Sequence, residues 1–208
     1  MEQFSLFISD LFFTVTPVVR TILIFAFSYG EGLPVIGSIL PGGTIALLVG
    51  SLSTQGFINP LFAVGVITIG SFLGDVTGFF AGKRLKHYSW LKRLVGDEKH
   101  QTSWDVFDRH LAIIVIFGKL IPVVRSTPSF FAGARNVKVQ KYLFYSFLGS
   151  LLWALVGIYG GSILARVAGP AAIPIIIGVL IISGIAALVT QKHKAHKKKM
   201  RQGNPAQQ

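Results

Sequence analysis

The chain has 208 residues, of which 51% are hydrophobic and 13% charged, with a net charge of +12 and no cysteine. That balance excludes an ordinary soluble domain, and the missing cysteine excludes disulfides and thiolate metal sites. The positive charge is clustered: six basic residues fall between Lys192 and Arg201 and seven between Lys83 and Arg109. Both clusters flank apolar segments, as cytoplasmic loops of membrane proteins do, so contact with anionic membrane lipids is expected and nucleic-acid binding is not.

Taken in order, Met1 to Leu6 has no basic region of the kind that opens a removable signal, so the first apolar run is expected to persist. That run, Leu11 to Tyr29, reads as a span interrupted by Pro17 and Arg20. Arg20 either snorkels to an interface or closes a polar cavity. From Glu31 to Leu52 the pattern is apolar but broken by Pro34, Pro41 and the glycines Gly37, Gly42 and Gly43. Prolines and glycines at that density prevent one smooth helix. Glu31 lies among apolar neighbours, where an ionisable group is expected to line a cavity.

Leu61 to Ala81 reads as a span carrying Gly70, Gly74 and Gly78, with Gly82 just beyond, a small-residue stripe suited to close helix packing in lipid. Asp75 sits beside the stripe and requires a cationic partner or a proton. Residues 83–110 are charged and amphipathic, with Trp90 and Trp104 as anchors, and read as a cytoplasmic interfacial connector. Its histidines match no metal-ligand spacing, so no metal, cofactor or catalytic residue is expected.

Residues 111–133 carry the main signal. Between Leu111 and Phe131 lie twelve Leu, Ile, Val or Phe residues, but also Lys119, Arg125, Pro122 and Pro128. Twelve such residues favour insertion by about 5 kcal/mol, and two central cations cost roughly 2.5–3.5 kcal/mol each, which cancels the gain. Broken, charged backbone at membrane depth is tolerated where protein buries it or where it lines a wet cavity. The segment therefore reads as a re-entrant hairpin closed by Gly133. Basic residues on both of its flanks place both ends on the cytoplasmic side. Tyr142 to Ile163 and Ala171 to Val189 read as further spans, Arg166 as part of the turn between them, and 191–208 as a basic, disordered cytoplasmic tail.

The fold expected is an all-α polytopic membrane protein in one domain, 1–190. Two facing re-entrant hairpins, about 31–52 and 111–133, belong to an inverted repeat, accompanied by transmembrane helices and the amphipathic connector. Such repeats typify secondary transporters, with the site near the midplane. The glycine stripes suit internal packing or a homo-oligomer interface equally well.

Three groups of residues resemble the DedA family, also called VTT or SNARE-associated Golgi proteins. They are Glu31 with the Pro41-Gly42 turn; Gly74-Asp75 with Gly78, Phe79 and Gly82; and Phe117-Gly-Lys119 with Pro122, Arg125, Pro128 and Ala132-Gly133, followed by Phe144, Gly149 and Trp153. The resemblance implies an integral protein of the bacterial inner membrane that translocates lipid, undecaprenyl phosphate foremost, with phosphatidylethanolamine as the alternative headgroup and protons as a possible coupling ion. It assigns essential roles to Glu31 and Arg125. From the chemistry of the residues, Lys119 and Arg125 are expected to bind the lipid phosphate, Glu31 and Asp75 to gate or couple protons, and Pro41, Gly42, Pro122, Pro128 and Gly133 to shape the hairpins. Two departures stand out: Gly43 where relatives often carry an acid, and Lys119 where they often carry arginine. A proton-coupled exporter of small cations and a membrane-homeostasis scaffold are the readings of other classes. A lipid phosphatase is disfavoured because every histidine lies in or beside a basic aqueous segment.

Overall fold

A computed structural model describes residues 16–34, 42–86, 109–121 and 127–172, with a few isolated positions including 37, 88, 107, 125, 175, 176 and 178. Pro41 and Pro122, most of the connector, most of the last expected span and the tail lie outside the described residues.

Among the described residues the regular structure is helical throughout. Six α-helices run in order: α1 Pro17–Gly32, α2 Gly42–Ser53, α3 Pro60–Leu85, α4 Leu111–Phe117, α5 Thr127–Ala134 and α6 Val139–Ala168. A 3₁₀ turn, Gly118–Leu120, continues α4. The ends have local causes. Asn59 caps α3 by accepting from the Leu61 and Phe62 amides, and Pro60 sits in the first turn, where its missing N–H is harmless. Lys83 and Arg84 close the same helix against its negative dipole end. Gly169, at φ 54°, ends α6.

Length separates these helices into two kinds. At about 1.5 Å per residue, α3 and α6 run roughly 39 and 45 Å, enough to cross a hydrocarbon core of about 30 Å. By the same rise α2 and α5 reach only about 18 and 12 Å. The side chains are distributed inside out. Leu61, Ile69, Phe80, Phe144 and Ile163 face outward, while Glu31, Asp75, Lys119, Arg125, Ser71, Ser146 and Ser150 are buried.

Each short helix packs on the long helix of the other half: α2 on α6, and α5 on α3. Glycines make both contacts. A Cβ added at Gly50 would strike the Ile158 carbonyl, and one at Gly161 the Leu47 carbonyl. In the other crossing Gly82 faces the Phe130 carbonyl and Gly133 the Phe79 carbonyl. In all four cases the glycine meets the residue three before its partner glycine. The sequence carries the same correspondence: Gly70-Ser71, Gly78 and Gly82 in α3 match Gly149-Ser150, Gly157 and Gly161 in α6.

The first stripe is thus spent inside the protomer. Gly70 and Gly74 admit α1, Gly78 meets Ser129 and Pro34, and Gly82 admits α5. That corrects the expectation that it could equally serve an oligomer interface. Three boundaries also differ. Glu31 belongs to the last turn of α1 rather than to a broken segment; Lys83 to Leu85 extend α3 rather than opening the connector; and Arg166 lies in the last turn of α6 rather than in a loop. At Glu31 and at Lys83 to Leu85 burial of the preceding turn carries the helix past the point where polarity rises.

Two apolar clusters fill the interior. One joins Ile24, α2, the start of α3 and the far half of α6 around Leu52, Ile67 and Ile158. The other joins Phe79, Leu111, Val115, Ala132 and Tyr142. Along α3 and α6 the stretch between these clusters holds the buried polar residues.

Candidate functional site

The site forms where the end of α1 comes up against α3. A Cβ on Gly32 would lie 2.7 Å from the Asp75 amide nitrogen, the Gly74 Cα and the Ser71 carbonyl. Only glycine lets α1 end against α3 there, and Glu31 is thereby carried to the turn that holds Asp75. From the second half, α4 tightens into its 3₁₀ turn at Gly118–Leu120, and the Arg125 amide bonds back to the Ile121 carbonyl at 3.0 Å. Lys119 and Arg125 therefore enter from a bend, not from the side of a regular helix.

The four charged residues meet as two ion pairs. Lys119 Nζ lies 2.6 Å from Asp75 Oδ2, and Arg125 lies 2.8 Å from Glu31 Oε2 through a terminal guanidinium nitrogen. All four side chains are at most 7% exposed. Their formal charges sum to zero, which allows burial at a depth where an isolated charge is very costly.

The pairs differ in completeness. Lys119 has three N–H donors, and each has a partner: Asp75, Ser71 Oγ at 3.1 Å and Ser150 Oγ at 2.5 Å. Ser71 and Ser150 are matching positions of α3 and α6, so the lysine has partners in both halves. Ser146 donates to Asp75 Oδ2 at 2.5 Å, and Ser150 also donates to the Ser146 carbonyl. Below Ser146, one helical turn back, the buried Tyr142 hydroxyl reaches Ser146 and Ser129, and its ring stacks on Phe79 at 4.6 Å.

Around Glu31 the network is incomplete. Oε2 takes Arg125, but the buried Oε1 makes no hydrogen bond. The Trp153 indole faces this carboxylate closely enough to act on it, but its buried Nε1 falls short of hydrogen-bond geometry. The Arg125 guanidinium carbon sits 5.2 Å from the centre of the Trp153 ring. The indole in turn rests on Gly43, whose added Cβ would lie 2.7 Å from Trp153 Cη2. A small cavity, with about 10 Å3 of free space, is lined by Glu31, Gly32, Ser71, Asp75, Lys119, Arg125 and Trp153.

Of the sequence-predicted positions, Glu31, Asp75, Lys119 and Arg125 converge here. Gly133 and Gly42 do not: Gly133 makes the α5–α3 crossing, and Gly42 begins α2. Pro128 lies in the first turn of α5, where proline fits without kinking. Arg20 takes no part. It donates to the Phe57 carbonyl at 2.6 Å and stacks on that ring, tying α1 to the loop before α3. Sequence reasoning missed Ser71, Ser146, Ser150 and the site role of Trp153. Their signal was the four-residue spacing of Tyr142, Ser146 and Ser150, which puts three polar groups on one buried face of α6.

Comparison with known proteins places this architecture. The family model of the VTT domain matches residues 40–163, which include Asp75, Lys119, Arg125 and Trp153. The chain belongs to the DedA family and carries its VTT domain. It is similar to the inner membrane protein YghB of Salmonella typhimurium, 29% identical over 123 residues, covering 57% of this chain and 56% of that one. The Escherichia coli K12 inner membrane protein YqjA is 26% identical over 121 residues, 56% of this chain and 54% of its own. An uncharacterised membrane protein of Buchnera aphidicola is 26% identical over 158 residues, 73% and 60% of the two chains. The chain thus spans somewhat over half the length of these relatives. No solved structure matches. Family membership, the inside-out side chains and the two membrane-length helices together make this DedA-family chain a helical membrane protein.

Proposed function

We propose that this DedA-family protein is a lipid transporter of the bacterial inner membrane, one that moves a phosphate-bearing lipid, undecaprenyl phosphate foremost, between leaflets. The observation that carries the reading is the pair of buried ion pairs between the two halves of the fold. Buried ion pairs are often no more stabilising than apolar residues of similar size. Four charges gathered around one cavity at membrane depth therefore indicate a ligand or ion path. Anionic headgroups suit the two cations, while prenyl or acyl tails stay in the surrounding lipid. Protonation of Glu31 would release Arg125 to the headgroup and give the cycle its dependence on protons. No catalytic residue and no cofactor belong to this reading.

An inverted repeat with two re-entrant hairpins completes the proposal. Its support is the exchange of short helices between halves, the matched glycine crossings and the inability of α2 and α5 to cross a bilayer alone. Alternating access would then come from one half rocking on the other about the fixed charges. A membrane domain over 1–190 and a cytoplasmic tail belong to the same picture.

A zwitterionic headgroup is the second reading, favoured by the unpartnered Glu31 Oε1. Phosphatidylethanolamine could place its phosphate on Arg125 and its ammonium on Glu31. Reconstitution into proteoliposomes with labelled polyprenyl phosphate and labelled phosphatidylethanolamine separates the two. Movement of the first alone supports the main reading, movement of the second the alternative, and movement of neither from folded protein contradicts both.

A further inference from the structure

We propose that Trp153 is a ligand-binding residue of this site, its indole N–H donating to the anionic oxygen that Arg125 receives. The inference rests on the transport reading above and names a further member of its binding set.

Two orphaned groups belong to residues that line one cavity. Glu31 Oε1 and Trp153 Nε1 are each buried and each without a hydrogen bond. An indole nitrogen can only donate, and a carboxylate oxygen accepts. The indole N–H faces the carboxylate closely enough to act on it but falls short of hydrogen-bond geometry, and a buried group left unpaired costs on the order of 1–3 kcal/mol. The indole is thus a donor turned toward the anion that holds Arg125. When an oxyanion replaces the carboxylate on Arg125, it finds that second donor already in place.

The indole is also held for the task. Its face carries the Arg125 guanidinium at 5.2 Å, so ring and cation fix one another. Its far edge rests on Gly43, where any side chain would push the ring away. Ser150, three residues earlier on α6, anchors Lys119, so this face of α6 serves both cations. A free space of about 10 Å3 is room for about one water. A phosphate therefore enters only by displacing Glu31, which couples ligand binding to breakage of that ion pair.

The probe is a short-chain polyprenyl phosphate, with inorganic phosphate in parallel, added to full-length purified protein. Replacing Trp90 and Trp104 by Phe leaves Trp153 as the sole tryptophan of the chain, since there are three in all. Its emission is expected to shift saturably with the lipid phosphate, and the shift to vanish with Arg125→Ala. A response to inorganic phosphate as well would assign recognition to the phosphate alone; a response to the lipid only would add the chain. In transport assays Trp153→Phe keeps the ring and removes the donor. It is expected to raise KM roughly fivefold to tenfold, the worth of about one hydrogen bond, with kcat little changed. If wild-type protein moves lipid but Trp153→Phe has the same KM and the emission stays still, the indole role is refuted while transport stands. If wild-type protein moves no lipid phosphate, the transport reading itself falls.

Discussion

The two ion pairs are similar in composition and opposite in finish. Asp75–Lys119 is saturated: three acceptors meet three N–H groups, and helices of both halves supply them. Glu31–Arg125 is held on one side by an aromatic face and leaves a carboxylate oxygen and an indole N–H unmet. A saturated pair resists exchange, because any incoming group must displace bonds of equal quality. An unsaturated pair can trade one partner for a better one. On the proposed transport reading, Glu31–Arg125 is the pair that opens to the ligand, while Lys119 holds the halves together and lends its charge from a fixed position.

The largest effect is expected from breaking the saturated pair. Lys119→Ala leaves Asp75 buried and uncompensated, which should cost roughly 3–5 kcal/mol and appear as a large fall in thermal stability in detergent. Restoring neutrality with Asp75→Asn in the same chain should recover part of that loss. If Lys119→Ala is as stable as the wild type, the holding role is wrong.

Next comes Arg125→Lys, which keeps the charge but loses the planar fork and the stack on Trp153. Transport is expected to fall by at least about tenfold, with a smaller stability loss than Lys119→Ala, because the fork that the guanidinium would offer a phosphate is replaced by a point charge. Equal effects of the two substitutions on both readouts would erase the distinction between the pairs.

Glu31→Gln imitates a permanently protonated acid. It leaves the buried Arg125 without its counter-charge, so it is expected to lower thermal stability as well as to flatten the pH dependence of transport, measured in proteoliposomes at two pH values. A pH profile that survives the change would move proton coupling to Asp75. The smallest effect is expected from Ser150→Ala. It removes one of three acceptors from Lys119, worth about 1–3 kcal/mol when a buried donor is left unmet, and should be read as a modest shift in melting temperature.

Much of this was legible before any coordinates. The cancellation of insertion energy by Lys119 and Arg125 pointed to a buried site, and Asp75 beside a glycine stripe required a cation or a proton, of which the structure shows the cation, Lys119. What was not legible depends on pairing across distance. No local pattern says that Glu31 chooses Arg125, because that choice follows from Gly32 seating α1 on α3. Serines on α6 were hidden for another reason: in a membrane helix they are common, and only their spacing from Tyr142 marks one face. The repeat between α3 and α6 was present as Gly-Ser followed by two glycines at matching offsets. It gains meaning only when the glycines are seen to face reciprocal carbonyls on α5 and α2. Helix ends shifted outward at Glu31 and Leu85 because tertiary packing, not local polarity, set the last turn.

The most direct measurement is the transbilayer movement of labelled polyprenyl phosphate in proteoliposomes, wild type against Arg125→Ala, each shown to be folded by gel filtration. The account predicts movement by the wild type and none above protein-free vesicles by the variant. Equal rates from the two proteins would contradict it, since no anionic headgroup could then depend on the unsaturated pair.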